Sequence, residues 1–158
     1  RSRPAATRPR SEIAGSGTRL PKQQANPMYR NKVPDGRPRR RILIAEDTES
    51  NCKLLEIVLR REYDLLWAKN GREAVEMAFA HRPDAILMDI KMPEMDGMEA
   101  LREIRLRDPR IPVIMQTAYA FDTDRRAAEA AGCSGFLTKP VIPAELKACL
   151  DRALGEKA

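Results

Sequence analysis

Long apolar runs are missing from this 158-residue chain; none approaches the eighteen or so residues that a membrane-crossing helix needs. A basic-then-apolar leader of the secretory kind is missing too. Cysteine is scarce and badly spaced for pairing. Cys52, Cys133 and Cys149 are odd in number and form no Cys-x-x-Cys pair, so neither a disulfide framework nor a zinc site is indicated. Thiols kept reduced in a cytoplasmic setting are the plain reading. The initiator methionine is also lacking, since the first residue is Arg1, and an excised piece of a longer protein is expected.

What is present divides in two. Residues 1–41 hold 12 Lys/Arg against 2 Asp/Glu, whereas residues 42–158 hold 17 against 21, so the overall charge of +6 belongs to one end. Six of the twelve prolines fall in residues 1–40, and the apolar residues there show no period. Such a segment cannot bury enough surface to offset its ordering entropy, and residues 1–40 are expected to be a disordered basic linker or tail. Its end, "RPRRR" (Arg37 to Arg41), has no neighbouring aromatics to stack on bases, which favours a solvated linker over a nucleic-acid or membrane contact.

From Ile42 short apolar runs recur: "ILIA" (42–45), "DLLWA" (64–68), "DAILM" (84–88), "PVIMQ" (112–116) and "GFLT" (135–138). Between them lie helical spacings. Leu54, Leu55, Val58 and Leu59 form one stripe, Ala74, Val75, Ala78 and Phe79 a second, and Leu101 with Ile104 a third. Leu146, Cys149, Leu150 and Ala153 form the last, with Pro143 suited to the first helical turn. Asp122 or Thr123 can cap the fourth helix, and Gly132 can end it. Five strands alternating with five helices predict an α/β fold: a doubly wound, five-stranded parallel sheet of order 2-1-3-4-5 with helices on both faces. Ligands of such folds sit outside the carboxyl ends of the strands, where strands 1 and 3 diverge.

The residues at those ends are chemically marked. Strand 1 ends in Glu46 and Asp47, strand 3 in Asp89, strand 4 in Thr117 followed by Ala118, and strand 5 in Lys139 followed by Pro140. Three converging carboxylates repel one another unless a cation neutralises them. Few, hard oxygen ligands suit a Mg2+ ion that keeps several waters. One carboxylate is then free to attack phosphorus and form an acyl phosphate, and Asp89 is the candidate, since adjacent Glu46 and Asp47 can hold the ion together. Lys139 and the Thr117 hydroxyl would neutralise and bond the phosphoryl oxygens.

The acid pair "ED" (46–47), "MDIKMPEMDG" around Asp89, "TAYA" from Thr117 and "TKP" (138–140), in that order, resemble a response-regulator receiver domain of two-component signalling over residues 41–156. The resemblance implies that Asp89 accepts a phosphoryl group from a histidine kinase or a histidine phosphotransfer protein. It implies that Asp47, Asp89 and the Lys91 backbone carbonyl bind magnesium, with Glu46 acting mostly through water. Thr117, Ala118 and Lys139 would bind phosphoryl oxygens, and Thr117 with Phe136 would form a switch pair. Lys91 and Tyr119 stand where side chains tune the lifetime of the phosphoryl group, and the Lys139–Pro140 bond is expected to be cis. The signalling surface would be the face formed by helix 4, strand 5 and helix 5, which can also dimerise.

No output domain is expected after the receiver, which leaves two contexts: the C-terminal receiver of a hybrid sensor histidine kinase, favoured by the missing methionine and the long linker, or a single-domain regulator. The receiver itself would bind no nucleic acid, and this fragment no membrane. It is expected to be an acceptor that catalyses its own phosphorylation and dephosphorylation rather than a kinase, because the only histidine, His81, falls in "AHRPD" between a helix and strand 3, as a solvent-facing helix-end residue rather than on the helix face that donor chemistry needs. An aspartate-based phosphatase would place a second acid two residues after the nucleophile, where Lys91 stands. A flavin or nucleotide binder would need a glycine-rich loop where this chain has "EDTESN". A receiver that binds partners without phosphorylation is the remaining rival.

Overall fold

The computed structural model describes residues 18–19, 36, 38–119 and 121–155. The expected tail therefore lies mostly outside the described residues. The central unit runs β1 (Arg40–Ala45), α1 (Glu49–Leu59), β2 (Tyr63–Ala68), α2 (Gly71–His81), β3 (Ala85–Asp89), α3 (Gly97–Arg107), β4 (Val113–Thr117), α4 (Asp122–Ala130), β5 (Gly135–Thr138) and α5 (Pro143–Ala153). These five strands are parallel, in the order β2-β1-β3-β4-β5. A further two-residue strand, Thr18–Arg19, pairs antiparallel with Leu66 and Trp67 at the outer edge of β2. It was not expected from the sequence. An edge strand leaves a row of backbone groups open to another strand, and this segment takes part of that row.

Side-chain alternation in the strands sends two apolar sets to opposite faces. Leu43, Ala45, Ile86, Met88, Val113 and Met115 pack under α2, α3 and α4. Ile42, Ile44, Leu87 and Ile114 pack under α1 and α5. All five residues of β3 and all five of β4 are buried, as parallel strands covered on both faces should be. Each large side chain so buried contributes about 1.5–3 kcal/mol, which holds the strand ends rigidly in place.

Two details depart from the sequence-based expectation. On α1 the buried stripe is Cys52, Leu55 and Leu59, while Leu54 is 63% exposed. Asp122 opens α4 rather than capping it: the cap position is Phe121, which makes no side-chain cap hydrogen bond. Asn70 and Asp96 do cap, accepting from the N–H groups of Glu73 and Glu99 at the starts of α2 and α3.

The basic cluster is also engaged. Arg39, with its side chain only 4% exposed, pairs with Asp64 at 3.2 Å and donates to the carbonyls of Arg60 and Tyr63. Arg41 donates to the His81 carbonyl, and Arg40 to that of Leu154. These three arginines fasten the start of β1 to the fold, and β1 begins at Arg40, a residue before the expected domain boundary.

Candidate functional site

At the carboxyl end of β1 the backbone continues in register past the strand, because the Glu46 N–H donates to the Ala68 carbonyl at 2.9 Å. The indole Nε1–H of Trp67 donates to the Glu46 carbonyl at 2.7 Å, so β2 holds both backbone groups of this residue. The Glu46 side chain is fully buried. Its Oε2 accepts from the Thr48 backbone N–H and the Asn51 amide, and its Oε1 from Lys139 Nζ at 3.0 Å. Nothing in the apolar periodicity singles out Trp67 or Asn51, since indole and amide partners become visible only when the strands are side by side.

Asp89 closes β3 and is 5% exposed. Lys139 Nζ lies 3.2 Å from its Oδ2, so one ammonium bridges the first and third strands. Lys139 is itself fixed by its backbone N–H, which donates to the Thr117 carbonyl at 2.8 Å, and the Lys139–Pro140 bond that follows is cis. Oxygens of Glu46, Asp47 and Asp89 all lie within 4.8 Å of one another, with Asp47 exposed at the mouth.

Three carboxylates and one lysine leave an excess of negative charge. Burial, and then the Glu46 carboxylate, push Asp89 up to about 6, with Lys139 only partly offsetting them. For Lys139, burial works against the charged form, but the Glu46 hydrogen bond and the charges of Asp89 and Glu46 together outweigh it and raise the pKa. A hard divalent cation fits this donor set: the ligands are all oxygen, one of them faces solvent, and their summed charge exceeds what Lys139 balances.

The loop after β3 is stitched from both ends. Gly71 N–H donates to the Met95 carbonyl at 2.9 Å, and Gly97 N–H to that of Ile90 at 2.7 Å. A Cβ on Gly71 would stand 2.1 Å from the Met95 oxygen, and one on Gly97 would stand 2.2 Å from the Asp89 oxygen. Gly97 admits the backbone that carries Asp89 and Gly71 the loop backbone at Met95, roles the sequence showed only as helix starts.

The remaining expected residues sit around this centre. Thr117 is buried at the end of β4, and its Oγ1 accepts from the Tyr119 N–H at 3.1 Å. Ala118 lines a cleft beside Lys139. Phe136, in β5, is half-buried against the α2–α3–α4 side, with the Arg125 guanidinium 4.9 Å over its ring. Tyr119 is 54% exposed and stacks on Phe121, while Lys91 Nζ lies 5.7 Å over its ring. Lys91 and Tyr119 thus pair with each other at the rim. His81 is the last residue of α2, the helix-end position expected for it.

Comparison with known proteins agrees with this arrangement. The chain is 38% identical over 103 residues to the polar-differentiation response regulator DivK of Brucella anthropi, covering 63% of this chain and 84% of that protein. It is 40% identical over 117 residues to the regulatory protein AtoC of Escherichia coli K12, covering 72% of this chain but 25% of AtoC. Among solved structures, the receiver domain of a Pseudomonas aeruginosa PAO1 sensor histidine kinase superposes with a TM-score of 0.69 at 39% identity. The match covers 75% of this chain and 99% of that one, which has a magnesium ion coordinated in its active-site cleft. The family model for the response regulator receiver domain matches residues 42–151, which span β1 through most of α5. With its fold, its acidic strand ends and this match in agreement, the chain belongs to the response regulator receiver domain family.

Proposed function

We propose that the protein is a phosphoacceptor in a two-component phosphorelay, with Asp89 as the acceptor. The observation that carries this reading is the Lys139 ammonium, held 3.0 Å from Glu46 and 3.2 Å from Asp89 within a three-carboxylate cluster. The donor is a phosphohistidine of a histidine kinase or a histidine phosphotransfer protein. An Asp89 carboxylate oxygen attacks phosphorus, the O–P bond forms as the N–P bond breaks, and the electron pair leaves with the imidazole. Lys139 and the Thr117 hydroxyl stabilise the phosphoryl oxygens, together with the backbone at Ala118.

Glu46, Asp47, Asp89 and the Lys91 carbonyl would hold Mg2+, which neutralises charge on the transferring group. Turning a two-state domain from mostly inactive to mostly active takes about 5.5 kcal/mol of differential stabilisation. Charge-assisted bonds from Thr117 and Lys139 to a dianion supply part of it, and Phe136 follows Thr117. The readout face is α4-β5-α5, the surface through which two copies would pair. A cytoplasmic hybrid sensor kinase with residues 41–156 as its receiver is the favoured context, with residues 1–40 as linker. The kinase-receiver relative supports that context, while the DivK relative, 84% of which is matched, is the counterpart for a single-domain regulator.

Intact-mass measurement after incubation with Mg2+ and acetyl phosphate should show one added phosphoryl group, absent in Asp89→Asn and with chelator. No gain with acetyl phosphate or with histidine-kinase donors would leave the phosphorylation-independent receiver in its place. Tyr119 supplies a second prediction. Its ring beside Lys91 shields the acyl phosphate from water, so Tyr119→Ala should shorten the phosphoryl half-life severalfold, and an unchanged half-life would refute the shielding.

A further inference from the structure

A cleft of about 400 Å³ opens between α1 and the connection from β5 to α5. Its walls are Leu54, Leu55 and Val58 on one side and Pro140 and Val141 on the other. That volume lies within the range of small-molecule sites, and so does an apolar lining with a few polar groups. Gln116 also lines it, and here the chemistry is unusual.

Strand alternation explains where Gln116 points. Met115 packs with the α2–α3–α4 set and Ile114 with the α1–α5 set, so Gln116 shares the face of Ile114, beneath the cleft. The residue is 1% exposed, and neither its amide nitrogen nor its amide oxygen has a hydrogen-bond partner. A buried amide without partners destabilises a fold, and native structures keep few of them. A structural role would be served equally well by leucine or methionine at this position.

We propose that this cleft binds a small neutral molecule with an apolar body and a carboxamide-type edge. The Gln116 amide presents a donor and an acceptor side by side, which a primary amide or a lactam meets with two hydrogen bonds at once. The apolar walls take the rest of the molecule. The charged groups lining the cleft, Glu46 and Lys139, are engaged at 3.0 Å with each other, and Lys139 also with Asp89, so neither is free to pair with a charged ligand and a neutral one fits. The Gln116 amide is covered from bulk water, but with no hydrogen bond restraining its terminal torsion it can turn toward an entering ligand. A molecule seated there would lie against Lys139, within reach of the site at Asp89.

Benzamide is the probe. Titrated into the isotopically labelled full chain, it should cause saturable NMR shifts at the Gln116 side-chain amide and at Val58 and Val141. A Kd on the order of 1 mM is expected for so small a ligand. Acetophenone keeps the ring and carbonyl but lacks the donor, and it should bind severalfold more weakly. Gln116→Leu, close in volume, should weaken benzamide about tenfold. Leu54→Asp, at an exposed position that cannot threaten folding, should weaken it through the wall. Absence of saturable shifts would overturn the proposal. So would equal affinity for acetophenone and benzamide, or for Gln116→Leu and wild type, because the cleft would then accept any apolar group, a partner protein's side chain included.

Discussion

Gly97→Ala should destabilise the protein by about 3 kcal/mol or more, with a fall in the thermal midpoint of roughly 10 °C. The added methyl would lie 2.2 Å from the Asp89 carbonyl oxygen and 2.9 Å from the Ile90 Cα. Both neighbours are backbone, so no side chain can rotate away. Relief requires that the end of β3 move, and the Asp89 carboxylate moves with it. Phosphorylation by acetyl phosphate should therefore slow by more than the loss of folded protein explains. Gly132→Ala is the instructive comparison. Its φ of +97° strains an L-residue, but the nearest atom, 3.0 Å away, is the Nε of a flexible Arg105 side chain. A cost of about 1 kcal/mol is expected there, with Asp89 undisturbed. Urea unfolding of both variants decides the matter, and a Gly97→Ala protein within 1 kcal/mol of wild type would remove the proposed constraint.

Asp89→Asn should stabilise the metal-free protein. Burial and the Glu46 charge raise the Asp89 pKa from 3.8 to about 6 in the folded state. Between those values the folded protein binds more protons than the unfolded chain, so stability falls as pH rises through this window and is flat above it. The stability contributed by the protonated carboxyl is fully present below 3.8 and lost as pH passes 6. Above that, the buried charge costs about 2–3 kcal/mol, and asparagine does not carry it. In chelator, the variant should exceed wild type by about that amount at pH 8 and converge with it near pH 4. Millimolar Mg2+ should narrow the gap at pH 8, the outcome expected of an ion held by the carboxylates of the folded wild type. A variant no more stable than wild type at pH 8 in chelator would mean that Lys139 fully compensates the cluster.

The contrast between these two residues shows what a sequence can disclose. Asp89 was legible because a carboxylate at the end of a fully apolar strand breaks a pattern, and because similar breaks at Glu46, Thr117 and Lys139 fall at the same end of a parallel sheet. The parallel sheet followed from the alternation of strands with helices, and its order from the topology usual for five such units. Gly97 was not legible as a constraint on Asp89, because its meaning is a distance between backbones that no spacing rule encodes. Leu54 misled for a related reason. It fits the helical stripe with Leu55 and Val58, yet α1 turns it to the rim of the cleft, and which side of a stripe is buried depends on the sheet beneath. The edge strand Thr18–Arg19 lies in a segment whose composition argued for no structure at all. Pairing there depends on β2 offering a free edge, not on the segment's own propensity.

One contact near the ends of the fold has a bearing on attachment. The guanidinium of Arg40, where β1 begins, reaches the carbonyl of Leu154, just past the last helix. Chain entry and chain exit thus share one pole, while parallel strands carry Glu46, Asp89 and Lys139 to the other. Anything joined to either end is tethered from behind. The pole that gathers Glu46, Asp89 and Lys139 is thereby kept clear of both attachment points.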